Sequence, residues 1–173
     1  MKTQKPFPLL TAEDLMSADV VVISQDIPLR EAACLLAQSH ISGAPVVDDH
    51  GRCVGMLSAT DFVRWASEAG ATDPVPADGW PRFCSDWQMV DLEALPGNAV
   101  RHSMSADLVT AEPATPMTDL ARRMIDAHIH RIVVLDEERR PVGLVTSTDI
   151  LAAVAYGVRA ERGCEPALAG SPR

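Results

Sequence analysis

Positive charge is in short supply in this chain: 15 Lys and Arg stand against 24 Asp and Glu, a formal net charge of −9. Neutralising a nucleic-acid backbone takes clustered Lys and Arg, so this balance argues against a nucleic-acid partner and gives no attraction to an anionic membrane. A small anion such as a nucleotide stays compatible, because one site can be positive on an acidic protein. Aromatics make up only 4% of the residues, while 47% are hydrophobic, so the core must be aliphatic. Cys34, Cys53, Cys84 and Cys164 lie far apart with no C-x-x-C, which excludes a Cys-rich metal site and points away from a disulfide framework. No apolar run approaches the roughly 18 residues of a membrane span. The opening MKTQKPFPLL lacks the apolar core of a signal peptide. The expectation is a reduced, cytoplasmic protein with no metal and no required cofactor.

What the sequence does have is a repeat. Residues 16–63 lie over residues 104–151 at a constant offset of 88, without a gap, and 16 of the 48 pairs are identical. Met16-Ser17-Ala18-Asp19 falls on Met104-Ser105-Ala106-Asp107, Pro28 on Pro116, and His40-Ile41 on His128-Ile129. Val54-Gly55 matches Val142-Gly143, and Thr60-Asp61 matches Thr148-Asp149.

Each unit reads alike. An apolar run at 20–23 (and 108–111) suggests a strand, and Pro28 (and Pro116) then opens a helix at its first turn, where a missing N–H costs nothing. Leu29, Ala33, Leu36 and Ala37 recur at helical spacing, as do Met117, Leu120, Ala121, Met124 and Ile125, and these are core positions. Two β-branched runs follow, 44–47 with 54–57 and 132–135 with 142–145, and a closing helix begins near Thr60 and Thr148. The order is β-α-β-β-α, twice, an α+β (mixed α/β) fold packed as a pseudo-two-fold pair. A single unit of this size buries a sheet face and two helices poorly, which is why two must pack together. The expected division is a tail at 1–10, repeats at 11–67 and 99–157, an insert at 68–98 and a tail at 158–173.

Both units end in G-h-h-T/S-x-T/S-D: Gly55-Met56-Leu57-Ser58-Ala59-Thr60-Asp61 and Gly143-Leu144-Val145-Thr146-Ser147-Thr148-Asp149. With the Met-Ser opening, the Pro-led helix and the paired strands, this pattern resembles CBS domains over about two thirds of the chain. His128-Ile129-His130-Arg131-Ile132-Val133-Val134-Leu135-Asp136 is also similar to nucleotide-binding members of that family. The resemblance implies two clefts between the repeats that take AMP, ADP, ATP or a related adenosyl ligand such as S-adenosylmethionine. It also implies dimerisation of pairs into a disc, here a homodimer, and an unidentified protein target. Thr110, Ala111 and Ile132 would flank adenine in the second unit, with Val22, Ile23 and Ala44 as their counterparts.

The chemistry suits that role. A helix N-terminus just past a strand presents unpaired N–H groups and partial positive charge to a phosphate. Thr146 adds a hydroxyl and Asp149 can accept from a ribose diol, with Ser58 and Asp61 in the same roles in the first unit. Equally, Thr60 and Thr148 can be plain helix caps, with the following Asp complementing the helix dipole. His130-Arg131 replaces Ser42-Gly43, so only the second unit carries a cationic pair there. It can contact phosphate, or it can be a solvated loop end. The expectation is that the Asp149 cleft binds the nucleotide, while the Asp61 cleft binds weakly or prefers an uncharged adenosyl group. His40 and His128 have no second ligand at useful spacing and read as helix-terminal residues meeting the dipole rather than as metal ligands.

The insert holds Pro74, Pro76, Pro81 and Pro96 but also Trp80, Phe83 and Trp87, and residues 84–89 are expected to dock on the pair or on a dimer interface. A mobile loop is the alternative, and Cys84 beside the aromatics has little besides Arg82 to activate it. No general base paired with a nucleophile is visible, so the expectation is a regulatory module without catalysis. A ligand-free dimerisation or interaction scaffold is the alternative.

Overall fold

The computed structural model describes residues 9–68 and 97–156. The expected docking of residues 84–89, Cys84, Cys164 and the two expected tails but for Leu9 and Leu10 lie outside them.

The first unit comprises α1 (Ala12–Leu15), β1 (Ile23–Ser24), α2 (Leu29–Gln38), β2 (Gly43–Val47), β3 (Cys53–Ser58) and α3 (Ala59–Glu68). The second opens with a single 3-10 turn, Val100–His102, then β4 (Thr110–Ala111), α4 (Met117–Asp126), β5 (Arg131–Leu135), β6 (Pro141–Thr146) and α5 (Ser147–Tyr156). Each has a three-stranded sheet in sequence order, with the first pair parallel and the second antiparallel. The β-α-β-β-α reading holds in both units.

Two details depart from expectation for physical reasons. Pro28 and Pro116 sit at the helix caps rather than in the first turn, with φ −60° and −62°. Neither has a side chain to cap with, and the Leu29 N–H instead donates to Asn98 O at 2.9 Å, and the Met117 N–H to Leu10 O at 2.8 Å. The first strand is also displaced by one residue between units. β4 begins on the pair Thr110↔Val133, whose counterpart would be Val22↔Pro45, and Pro45 has no N–H for a ladder. β1 therefore starts at Ile23↔Val46.

Those caps expose the central feature of the architecture: each repeat's leading segment completes the other repeat's core. Leu10, Ala12 and Leu15 are buried among Ala111, Met117, Leu120, Ile132, Val134 and Val145 of the second unit. Val100, fully buried, lies with Ile23, Leu29, Leu36, Val46, Leu57 and Phe62 of the first. Reciprocal backbone pairs fasten the exchange, Ser17 with Leu144 (2.9 and 3.1 Å) and Met56 with Ser105 (2.9 Å each way). Arg101 ion-pairs with Asp26 across the same seam. The covalent repeats and the packed cores are thus different partitions of the chain.

The two units meet through a third cluster, Cys53, Val133 and Leu135 with Met56, Leu108 and Leu144. A bulge lets the strands serve two faces. Register slips between Val46 and Val47, and identically between Val134 and Leu135. Val54 and Leu57 consequently join the first core, while Cys53 and Met56 face the other unit. Glycine is required where the leading segments cross: a Cβ on Gly55 would lie 2.4 Å from Met104 Sδ, and one on Gly143 would lie 2.2 Å from Met16 Sδ.

Candidate ligand-binding cleft

The motif at each strand-to-helix junction folds as a helix cap, and the capping residue is Ser58 or Thr146, one turn before Asp61 or Asp149. Asp61 Oδ2 accepts from the Ser58 N–H and the Ser58 hydroxyl, both at 2.8 Å. Asp149 Oδ2 accepts from the Thr146 N–H at 2.8 Å and its hydroxyl at 2.7 Å, and the Asp149 N–H donates to Thr146 Oγ1 at 3.3 Å. The second unit thus has the reciprocal capping box, with Asp in place of the longer acid, and the first unit has its carboxylate half. Thr60 and Thr148, the caps expected from sequence, lie inside the first helical turn and point to solvent.

Asp61 has more support. Its Oδ1 accepts from the Ser105 hydroxyl of the second unit at 2.8 Å, and Arg64 Nη2 lies 3.4 Å away. The residue is only 3% exposed, so its charge is absorbed by the helix N-terminus, two hydroxyls and a guanidinium.

Around this helix start lies an inter-unit cleft of about 420 Å³, within the usual range for small-molecule sites. Ser58, Ala59, Thr60 and Asp61 line it with the apolar Met56, Leu108, Val109, Ile129 and Val133, the imidazoles of His128 and His130 and the guanidinium of Arg131. Ser42, Ser105 and Asp107 complete it.

Arg131 crosses the seam. Its Nη1 donates to Gly43 O at 3.2 Å and its Nη2 to the Ser42 hydroxyl at 2.5 Å. Gly43 is its repeat counterpart, and a Cβ there would lie 2.9 Å from Arg131 Nη1. Leu57 O of the neighbouring strand would be closer still, at 2.8 Å, so the sheet as well as the arginine needs a bare glycine here. Burial pushes the guanidinium's pKa down from its ordinary value, with no charged neighbour opposing the shift.

The sequence-selected residues therefore divide. Ser58, Thr60, Asp61, His130 and Arg131 share one cleft. The cationic pair, grouped from sequence with Asp149, lines the cleft of Asp61, because Arg131 starts β5 and reaches back over β2. Thr146, Thr148 and Asp149 form the start of α5. Ile132, Ile23 and Ala44 are buried in the two unit cores, since alternation along β5 turns 132 and 134 inward and 133 and 135 to the seam. Thr110 and Ala111 line a separate groove with Arg123, whose Nη1 donates to Thr110 O at 2.6 Å. Val22 is 42% exposed. The wall residues Met56, Leu108, Val109 and Val133, and the serine Ser105, escaped the sequence reading. The period of two along the strands would have pointed to Val133, whereas Ser105 depends on the exchanged segment.

His40 and His128 have a backbone explanation. Both have φ +53° just past a helix end. Ile41 N–H donates to Leu36 O and His40 N–H to Ala37 O, and Ile129 and His128 repeat the pattern on Met124 and Ile125. These are paired Schellman closures with histidine in the left-handed position. Among the described residues no group of His, Cys, Asp or Glu could hold a metal, and no helix is long and apolar enough to cross a membrane.

Comparison with known proteins agrees with this architecture. An uncharacterized protein of Methanocaldococcus jannaschii is 28% identical over 155 residues, covering 84% of this chain and 92% of that protein. The L-aspartate semialdehyde sulfurtransferase of the same organism is 25% identical over 143 residues, covering 83% of this chain. The chain spans only 23% of that enzyme's length. Among solved structures, the CBS domain pair of protein MJ0100, in complex with 5′-methylthioadenosine and S-adenosyl-L-methionine, matches with a TM-score of 0.65 at 24% identity, over 85% of this chain and 97% of that one. CBSX2 in complex with AMP matches with a TM-score of 0.63 at 20% identity, over 83% and 95%. At these identities the likeness establishes the fold. The CBS domain model matches residues 12–68 and 99–156, two repeats that fill most of the chain, and the protein belongs to the CBS domain family.

Proposed function

We propose that this chain is a non-catalytic regulatory module that binds an adenosyl ligand in the cleft at Asp61. The observation that carries this reading is the convergence in one inter-unit cavity of a helix N-terminus, apolar walls, the imidazoles of His128 and His130 and the guanidinium of Arg131. The base lies between the apolar walls, a ribose hydroxyl takes the place that Ser105 holds on Asp61, and the phosphate meets Thr60 and Arg131. The complexes of the structural neighbours with AMP and with adenosyl ligands support the ligand class. Thr146, Thr148 and Asp149 would serve a second, weaker site at the start of α5 that lacks Arg131, with adenine flanked as the family pattern implies. A ligand touching both units favours one relative orientation of them, and the signal is limited by its differential affinity for the two states.

A scaffold role has its own support. Leu151, Val154 and Tyr156 of α5 are 65%, 59% and 78% exposed, and Ile125, expected from its helical spacing to be core, is instead 72% exposed, a surface suited to a homodimer or a protein target.

Isothermal titration of refolded, ligand-stripped protein with AMP, ADP, ATP and S-adenosylmethionine separates the two. Saturable binding of one of them, weakened by at least about tenfold in Thr60→Glu and kept in Thr148→Glu, is the expected result. Both substitutions favour their helices electrostatically, so the fold survives. No binding by any of the four leaves the scaffold as the better reading.

A further inference from the structure

In the free chain the carboxylate of Asp61 has no acceptor position to spare. A carboxylate offers about four lone-pair sites. Oδ2 takes the N–H and the hydroxyl of Ser58, while Oδ1 takes the Ser105 hydroxyl at 2.8 Å and faces Arg64 Nη2 at 3.4 Å. A ribose hydroxyl therefore reaches Asp61 only by displacing a partner already in place. Three of the four partners come from the neighbourhood of Asp61 in the chain: Ser58 caps its helix, and Arg64 lies one turn further on with its side chain half in solvent. Ser105 alone comes from the other unit, and it lines the cleft beside Met56.

We infer that Ser105 is an internal competitor for the ligand: its hydroxyl stands on Asp61 where a ribose hydroxyl must go, and it lowers the affinity of the cleft for ligands that carry the diol. The inference rests on the adenosyl reading above and adds an autoinhibitory contact to it. Ser105 lies on the crossing segment, whose backbone pairs with Met56 in both directions and whose Val100 fills the first unit's core. Those contacts stay when the hydroxyl lets go, so the displaced serine remains beside the cleft and returns when the ligand leaves. The competition is thus limited to one hydrogen bond to a charged acceptor, enough to set the affinity but too little to close the cleft. Linkage makes the effect reciprocal: the ligand weakens the hold of Asp61 on the crossing segment by the factor that this hold weakens the ligand.

The test is calorimetric titration of AMP, and of 2′,3′-dideoxy-AMP, which lacks the diol, into the full stripped chain and into Ser105→Ala. Ser105→Ala should bind AMP about fivefold more tightly than wild type and gain nothing for the dideoxy analogue. The preference for AMP over the analogue should therefore widen by the same factor in the variant. Unchanged or weaker AMP binding in Ser105→Ala would overturn the competition and leave the adenosyl reading standing, because the hydroxyl would then be a bystander or a direct ligand contact. An equal gain for both nucleotides would overturn it as well, since the serine would then act by its bulk and not through Asp61. Binding of neither nucleotide to either protein would overturn both.

Discussion

The first and second units share a backbone plan, and the positions where they agree do different work from the positions where they differ. Shared residues hold the frame. Asp61 and Asp149 accept the same pair of hydrogen bonds from the residue that caps their helix, His40 and His128 close the same left-handed helix end, and Gly55 and Gly143 each admit a crossing methionine. Differing residues set what is particular to each unit: Arg131, where the first unit has Gly43, brings a guanidinium into the cleft at Asp61, and Pro45 against Val133 decides where the first strand starts. The pattern shared between the repeats therefore reports the frame, and the asymmetry between them reports what lines the cleft.

Matched substitutions in the two units sharpen that comparison, read as unfolding free energies from urea titrations. The largest difference should come from the cores. Phe62 is 2% exposed, while its counterpart Ile150 is only partly buried, so Phe62→Ala should cost about 3–5 kcal/mol and Ile150→Ala about 2 kcal/mol. Overpacking the seam comes next. A Cβ on Gly143 would meet Met16 Cβ at 2.8 Å, next to the backbone, whereas on Gly55 the closest atoms belong to the flexible end of Met104. Gly143→Ala should cost about 2–3 kcal/mol and Gly55→Ala about 1–2 kcal/mol, and equal costs would contradict the close approach of Met16.

Ser105→Ala removes the one hydroxyl that the second unit places on Asp61 and should cost about 1 kcal/mol. No change would mean that Asp61 is held by its own helix alone. The smallest effect concerns the strand turns, where Gly51 (φ +77°) is matched by Arg139 (φ +65°). Arg139→Gly should be neutral or stabilise by up to about 1 kcal/mol, while Gly51→Ala should destabilise by about 1 kcal/mol. A loss on Arg139→Gly would show that the arginine side chain contributes more than its backbone costs.

Most of the fold was legible because it is written twice. The constant offset of 88 and the Pro-led helices located, to within a few residues, ten of the twelve regular elements among the described residues. The two leading turns, Ala12–Leu15 and Val100–His102, were missed: four residues and three are too short to show a period, and the partner of each belongs to the other repeat. The site was legible in its polar half. Ser58, Asp61, His130 and Arg131 stood out as chemistry, but their grouping depends on how the units cross, and no local pattern carries that. Ile132 entered through the family resemblance, and its neighbour Val133 is also β-branched. Only the direction of the pleat separates the core residue from the cleft residue.

The central claim is that the adenosyl ligand binds in the inter-unit cleft at Asp61. A crystal structure of the stripped chain grown with AMP tests it most directly. The account predicts a nucleotide between Met56, Leu108 and Val133, with its phosphate within hydrogen-bond distance of Arg131. A nucleotide seated instead at Asp149, with Arg131 still bound to Ser42 and Gly43, would contradict it.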